Sequence, residues 1–230
     1  MRNSAGVVIV GGGVIGCSIA YELAKRNVKD IVLIEKNTLA SGATGRCGAG
    51  VRQQWGTEMN LKLSIGSVKR FETLQEELDY DHDIEFEQSG YFMPAYTEKQ
   101  VEQFKKNVEL QRKYGLNVEW LSPEDAPRVV PIVNTKGLLA ATFHQKDGHL
   151  NPFHVTFAYA QAAKRLGVEI FCHTEVKEIY TARNKITGVL TNQGKIDCDL
   201  LINASGGWSQ EIGRRSEERR VGKECRYRWS

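Results

Sequence analysis

Residues 7–16, Val-Val-Ile-Val-Gly-Gly-Gly-Val-Ile-Gly, constrain the fold more than any other stretch of the chain. The β-branched run Val7–Val10 reads as a strand buried on both faces, the kind found in parallel sheets. It stops at three glycines. A helix is predicted at once, with Ile15, Ile19 and Leu23 at helical spacing and Lys25 and Arg26 in its last turn. The spacing Gly11-x-Gly13-x-x-Gly16 matches the dinucleotide fingerprint. Gly11 allows the tight turn, Gly13 lets backbone approach a pyrophosphate, and Gly16 lets the helix pack on its strand. The helix start at Val14 and Ile15 then presents free N–H groups and the positive end of the helix dipole to the phosphates.

The neighbourhood supports this reading. A second apolar strand, Ile31–Ile34, follows the helix and ends in Glu35. An acidic side chain at this point is placed to hydrogen-bond a ribose hydroxyl, with Lys36 beside it on the adenosine side. Glu35 also disfavours an additional phosphate there, so the adenosine is expected to be unphosphorylated. The competing reading is a glycine-rich turn in an ordinary βαβ unit that binds nothing. Strand, turn, helix, strand and terminal acid in register favour the dinucleotide.

Composition narrows the class. The 230 residues are 41% hydrophobic and 26% charged, enough for a soluble domain with its own core. No apolar run is long enough to span a membrane, and the first strand begins too early to leave room for a secretory signal. Cys17, Cys47, Cys172, Cys198 and Cys225 lack C-x-x-C spacing, which argues against a zinc site and a disulfide framework and suits a reducing cytoplasm. No metal ligand set is expected. The net charge of +3 resides entirely in residues 215–230, which hold six basic and three acidic side chains. The rest of the chain is neutral, so no nucleic-acid partner is expected. That last segment has neither helical nor strand periodicity. It resembles the in-frame translation of a short-read sequencing adapter, so residues 215–230 are read as a non-native tail and set aside from the fold.

Between Glu35 and Trp55 lies a long connection rich in small residues, including Ser41-Gly-Ala-Thr-Gly-Arg-Cys-Gly-Ala-Gly-Val-Arg-Gln-Gln54. Together with the glycine fingerprint and the acid after the second strand, this stretch resembles the D-amino-acid-oxidase-type (DAO) flavoproteins. The sarcosine oxidase β-subunit and L-proline dehydrogenase β-subunit branch is the nearest. The resemblance runs from about Val7 to about Ile212. It implies an α/β fold: an FAD/NAD(P)-binding Rossmann-like parallel sheet with an inserted α+β substrate subdomain. It also implies that Ser41, Gly42, Thr44 and Arg46 line the pyrophosphate and the start of the isoalloxazine. By the same likeness, Gly48, Ala49, Gly50 and Val51 run beside the flavin ring. Arg52 falls on the substrate side, where an arginine can pair an amino-acid carboxylate bidentately; a surface salt bridge is the alternative. Some relatives carry a flavin-linked histidine near the position of Arg46. Arginine there implies non-covalent FAD.

Further along, Thr57–Leu78 is predicted as one long helix with a core stripe of Leu61, Ile65, Val68, Phe71, Leu74 and Leu78, capped by Thr57. Asp79–Asp83 reads as a solvated turn. Two short strands at Ile84–Glu87 and Gly90–Pro94, a helix at Glu98–Tyr114 closed by Gly115, a strand at Val118–Leu121, a short helix opened by Pro123 and a strand at Gly137–Phe143 follow. This strand-rich stretch, 79–146, is assigned to a partial substrate subdomain between the two parts of an FAD-binding domain, 1–78 and 147–214. The turn Asp147-Gly-His-Leu-Asn-Pro152 opens a helix at Phe153–Leu166, and His144, His149 and His154 are read as structural. Strands at 168–172 and 174–179 follow, then a hairpin excursion at 185–198 and a separate buried strand, Asp199–Asn203. The family likeness places Val176 against the adenine. It also makes Ala204, Ser205, Gly206 and Trp208 a second close approach of backbone to FAD.

The resemblance implies oxidation of the C–N bond of a small amine or amino acid such as sarcosine, proline or dimethylglycine, by hydride transfer to flavin N5. It implies hetero-oligomeric partner subunits as well. The cofactor carries the hard chemistry, and no nucleophilic catalytic set or general base is evident. Two alternatives stay open: an NAD-dependent Rossmann dehydrogenase, and a non-catalytic dinucleotide-binding subunit. Members of the family are longer than this chain, so it is expected to lack part of the FAD site and of the substrate pocket.

Overall fold

The structure is a computed structural model that describes residues 2–183 and 185–215. In chain order its strands are β1 (Ser4–Val10), β2 (Ile31–Ile34), β3 (Gly50–Val51), β4 (Tyr91–Ala95), β5 (Glu119–Leu121), β6 (Ala140–His144), β7 (Gly148–His149), β8 (Glu169–Phe171), β9 (Val176–Ala182), β10 (Lys185–Thr191) and β11 (Gly194–Asn203). The α-helices are α1 (Val14–Lys25), α2 (Glu58–Phe71), α3 (Leu74–Glu77), α4 (Glu98–Lys113), α5 (Ala126–Val129), α6 (Pro152–Arg165) and α7 (Ser209–Arg215). The described residues form two compact units. One takes the residues up to Gly48, Leu78–Ile84 and those from Pro152 on. The other takes Ala49–Glu77 and Glu85–Asn151.

The first unit is built on a six-stranded sheet in the order β8-β2-β1-β11-β10-β9. β8, β2, β1 and β11 run parallel, as the buried β-branched runs require. β10 and β9 join antiparallel, so the sheet is mixed rather than wholly parallel. The reason lies in β11. The predicted hairpin arm Lys195–Cys198 and the predicted buried strand Asp199–Asn203 are one ten-residue strand. It pairs antiparallel with β10 at its start and parallel with β1 along its length, up to Val10 against Asn203. Its two buried residues, Ile196 and Cys198, both lie in its first half; Leu200 is 50% exposed. The core joins Val8, Val10, Val32 and Ile34 to Val176, Val189, Ile196 and Ile212. Each such side chain contributes about 1.5–3 kcal/mol by leaving water.

The predicted apolar face of α1 is not the one it buries. Gly16, Cys17, Ala20, Tyr21 and Ala24 are buried, whereas Ile19 and Leu23 are half-buried and Ile15 is 61% exposed. Small residues let backbone approach closely, and α6 answers in kind with buried Ala158, Ala160, Ala162 and Ala163. The Tyr21 and Tyr159 rings meet between these helices, 5.8 Å apart.

The second unit holds the three-stranded antiparallel sheet β4-β6-β5 and the two-stranded pair of β3 and β7. The long helix predicted at Thr57–Leu78 is broken at Glu72 and Thr73 into α2 and α3, and Thr57 makes no side-chain cap. α2 packs Leu61 against Val108, Leu116 and Val118, which is why residues 58–77 group with this unit rather than with residues 1–48. The unit boundaries thus differ from the sequence division at 78 and 146. α4 is closed at its start by a capping box between Thr97 and Gln100. Ile84–Glu87 forms no strand, only a bridge from Glu87 to His149. Pro123 sits in a turn, and the short helix begins at Ala126. Residues 216–230 of the segment read as a non-native tail lie outside the described residues, and Arg215 ends α7.

Candidate dinucleotide site

Two bends at the carboxyl ends of adjacent strands make the site. After β1 the chain turns at Gly11 (φ +113°), whose N–H donates to Ile34 O at 2.9 Å. After β11 it turns at Ala204, whose N–H donates to Val10 O at 2.8 Å. The bends touch: a Cβ on Gly11 would lie 2.4 Å from Ala204 O. A Cβ on Gly16 would lie 1.8 Å from Gly11 O, so the third glycine lets α1 start directly against the turn. β1 is the strand from which the chain crosses to β2 on one side while β11 returns on the other. Ligands bind at such a switch point in open α/β sheets.

The N-cap of α1 is Gly13, which brings no side chain, and the first turn of α1 holds no acidic residue. No acidic side chain of the helix itself therefore covers its positive end. One N–H, that of Val14, donates to Thr44 Oγ1 at 3.2 Å. This places Thr44, in the short 3-10 turn Thr44–Arg46, over the helix start. The connection is held there by Ala40 N donating to Gly12 O (3.0 Å) and Gly45 N donating to Ala40 O (2.9 Å). On the other flank the Glu35 carboxylate accepts from Gly12 N at 2.7 Å and from Asn37 N at 2.9 Å. Both of its oxygens are oriented by backbone, and each retains a lone pair for a further donor. Lys36 lies over the Trp208 ring, Nζ 3.8 Å from the centroid, in a cation–π contact.

These parts enclose a cavity of about 260 Å³. Of the residues read from the sequence, it is lined by Gly11, Gly13, Ile15, Glu35, Lys36, Ser41, Gly42, Thr44, Arg46, Val176, Ala204, Ser205, Gly206 and Trp208. The exposed Ile15 is explained by this: it faces the cavity, not the core. Val14 and Gly16 are not in the lining and act from behind it, through the Thr44 bond and the helix–turn contact. Gly48 belongs to the same unit but does not line the cavity. Ala49, Gly50, Val51 and Arg52 belong to the other unit. Sequence reasoning missed Asn37, Thr174, Glu175, Glu211, Ile212 and Arg215 in the wall. Thr174 is brought to the wall by its N–H, which donates to Glu35 O at 2.8 Å, a contact between distant segments that the sequence does not show. The α7 residues carried no sequence signal either.

In the second unit, β3 pairs Gly50 with His149 and Val51 with Gly148. Arg52 follows, its guanidinium 4.2 Å from the Trp55 ring centroid and 5.9 Å from that of Tyr91. Arg52 Nε is buried without a hydrogen-bond partner, and among the described residues no carboxylate pairs with this guanidinium. The surface-salt-bridge alternative is therefore not what the structure contains.

Residues 6–226 match the family described as FAD dependent oxidoreductase, DAO. Mitochondrial dimethylglycine dehydrogenase of Rattus norvegicus is 31% identical over 214 residues, 93% of this chain and 25% of that protein. Sarcosine oxidase subunit beta of Arthrobacter sp is 34% identical over 217 residues, 92% of this chain and 53% of that protein. The crystal structure of L-proline dehydrogenase from P. horikoshii superposes with a TM-score of 0.88 at 35% identity, covering 95% of this chain and 57% of that one. The chain thus spans between a quarter and three fifths of the length of these relatives.

The residues present fit an adenine dinucleotide such as FAD. The first turn of α1 holds no acidic side chain, Glu35 has free lone pairs, and a Cβ on Gly206 or Gly207 would meet nothing within 4 Å, leaving backbone open to a ligand. No helix among the described residues is long and apolar enough to cross a membrane. Cys17, Cys47, Cys172 and Cys198 are free thiols.

Proposed function

Because the chain belongs to the FAD dependent oxidoreductase (DAO) family, we propose that the whole protein oxidises the C–N bond of a small amine or amino acid. Sarcosine, dimethylglycine and proline represent the class. When bound, FAD would supply the two-electron acceptor for hydride leaving the carbon beside nitrogen. The chain's own residues bind and orient. The start of α1, with Ser41, Gly42, Thr44 and Arg46, holds the pyrophosphate. Glu35 and Lys36 hold the ribose, Val176 meets the adenine, and Ala204–Trp208 forms the second backbone approach. Gly48–Val51 borders the ring. No side chain at the position of Arg46 offers a flavin linkage, so FAD is held non-covalently.

The observation that carries the substrate class is Arg52. A guanidinium flanked by two aromatic rings, with a buried Nε and no carboxylate of its own, suits a carboxylate supplied by the substrate. The names of these relatives, dimethylglycine dehydrogenase, sarcosine oxidase and L-proline dehydrogenase, all denote N-substituted amino acids as substrates of those proteins. The subunit name of the Arthrobacter relative supports partner subunits here too. Free thiols suit a reducing compartment such as the cytoplasm.

The test is anaerobic mixing of the full-length flavoprotein with sarcosine, dimethylglycine, proline and a panel of related amines. Bleaching of the flavin band by at least one of them is expected. Tightly bound FAD that none of them reduces would replace this reading with that of a non-catalytic dinucleotide-binding subunit.

A further inference from the structure

The second unit contains a buried polar network that the proposed chemistry does not use directly. Its centre is Asp147, whose side chain is 0% exposed. Oδ1 accepts from Gln53 N (2.9 Å), Gln53 Nε2 (3.2 Å) and His144 Nδ1 (3.0 Å), and Oδ2 accepts from Gln54 Nε2 (3.1 Å). Three of these four donors belong to the two residues that follow Arg52. Gln54 extends the network: its Nε2 also donates to Tyr91 O at 2.8 Å, and its Oε1 accepts from Thr142 Oγ1 at 2.7 Å. One carboxylate therefore ties down the backbone leaving Arg52 and, through a single amide, the strand that carries Tyr91.

Those are the supports of the Arg52 guanidinium. Tyr91 provides one flanking ring. Trp55 provides the other, and it is locked by its Nε1 donating to Arg52 O (2.9 Å), its N–H to Gln53 O (2.8 Å) and Gln111 Nε2 donating to its carbonyl (3.1 Å). A buried carboxylate is expensive to desolvate and stable only when its acceptor positions are filled, as they are here. Such a network fixes one geometry, because each member loses its partner if the chain shifts.

Resting on the assignment of Arg52 to the substrate carboxylate, we infer that Asp147 is a positioning residue for that arginine. It sets the guanidinium's place by gripping Gln53 and Gln54 and, through Gln54, the strand of Tyr91. Asparagine at 147 presents an NH2 group to at least one donor of the network, so the segment after Arg52 loses an anchor while the side chain's volume is kept.

The experiment compares kcat/KM of the full-length holoenzyme for an amino-acid substrate that bleaches its flavin with kcat/KM for the decarboxylated amine of that substrate. In Asp147→Asn the ratio of the two is expected to fall about tenfold, through KM of the acid, since an ångström of misplacement can be worth as much as a hundredfold. Thr142→Val is the milder variant for the case in which Asp147→Asn does not fold: it frees Gln54 Oε1 alone, and about a threefold fall in the same ratio is expected. Arg52→Met is measured alongside. An unchanged ratio in Arg52→Met refutes the carboxylate role of Arg52 itself. A collapsed ratio in Arg52→Met with an intact one in Asp147→Asn and Thr142→Val refutes the positioning role. An equal fall for acid and amine refutes it as well, because a merely structural loss does not distinguish them.

Discussion

Gly16→Ala tests the phosphate turn at its tightest point. A Cβ there would stand 1.8 Å from Gly11 O and 3.0 Å from Gly11 C. Ordinary contact needs about 3.5 Å, so the start of α1 must retreat by about 1.5 Å or more. Both offending atoms are backbone, and no rotamer relieves the overlap. Gly11 cannot yield either: its N–H is bonded to Ile34 O, and its other side faces Ala204 O. α1 is itself buried along Cys17, Ala20, Tyr21 and Ala24. Overpacking of this kind costs about 1–3 kcal/mol. The helix N-terminus that is proposed to meet the pyrophosphate moves with the helix, so FAD affinity is expected to fall at least about tenfold, or 1.4 kcal/mol. The assay is flavin fluorescence quenching on apoprotein, with urea unfolding of the same samples. Gly66→Ala is the control. Gly66 lies within α2 with nothing within 4 Å of a Cβ, and there alanine is expected to leave FAD affinity alone. That control should also stabilise by about 0.5–1 kcal/mol, the usual difference in a helix interior. Wild-type FAD affinity and stability in Gly16→Ala would refute the reasoning.

Other expectations follow from single groups. Burial pushes the Cys17 thiol up from 9.0 to about 12, and that of Cys198 up to about 11. The unfolded chain releases these protons first, so their share of stability is intact below pH 9 and is lost as pH rises toward 12. Each thiol steepens the fall by up to about 1.4 kcal/mol per pH unit. Urea midpoints across that range should show a shallower decline in Cys17→Ala, and an unchanged slope would contradict the assignment. At pH 8 an alkylating reagent should label exposed Cys47 well before buried Cys17; equal rates would show that the α1 face opens readily. Glu35→Gln turns one acceptor of the Gly12 or Asn37 N–H into a donor, which is worth about 1–3 kcal/mol at the part-buried Gly12 bond and less at the exposed Asn37 bond. ADP affinity measured by calorimetry should drop by about tenfold or more, and an unchanged value would remove Glu35 from the site. Reading the source gene beyond the codon for Arg214 decides whether residues 215–230 are natural; the account expects a different sequence, and the same tail in intact genomic DNA would overturn that.

Local features were legible and their global consequences less so. The turn from Gly11 to Gly16 and the acid at Glu35 could be read because each glycine answers a steric demand within a few residues of itself. The pairing of that turn with Ala204 also came through, because both bends end apolar strands. The buried face of α1 did not. Large apolar residues suggested Ile15, Ile19 and Leu23, whereas close helix packing selected Cys17, Ala20 and Ala24 and left Ile15 to the cavity. β11 was divided because Asp197 and Asp199 interrupt its apolar run; both sit on its exposed face, in alternation with buried Ile196 and Cys198. The break between α2 and α3 falls at Glu72-Thr73, where neither glycine nor proline announces it. The Asp147 network was read only as a turn, since three of its four donors come from residues more than ninety positions earlier.

The most direct measurement is an atomic structure of the full-length protein with FAD bound. The account expects the pyrophosphate within hydrogen-bond distance of the N–H groups at the start of α1, the ribose on Glu35 and the adenine beside Val176. A pyrophosphate lying away from Gly13–Gly16, or an adenosine outside the cavity between the Gly11 and Ala204 bends, would contradict it.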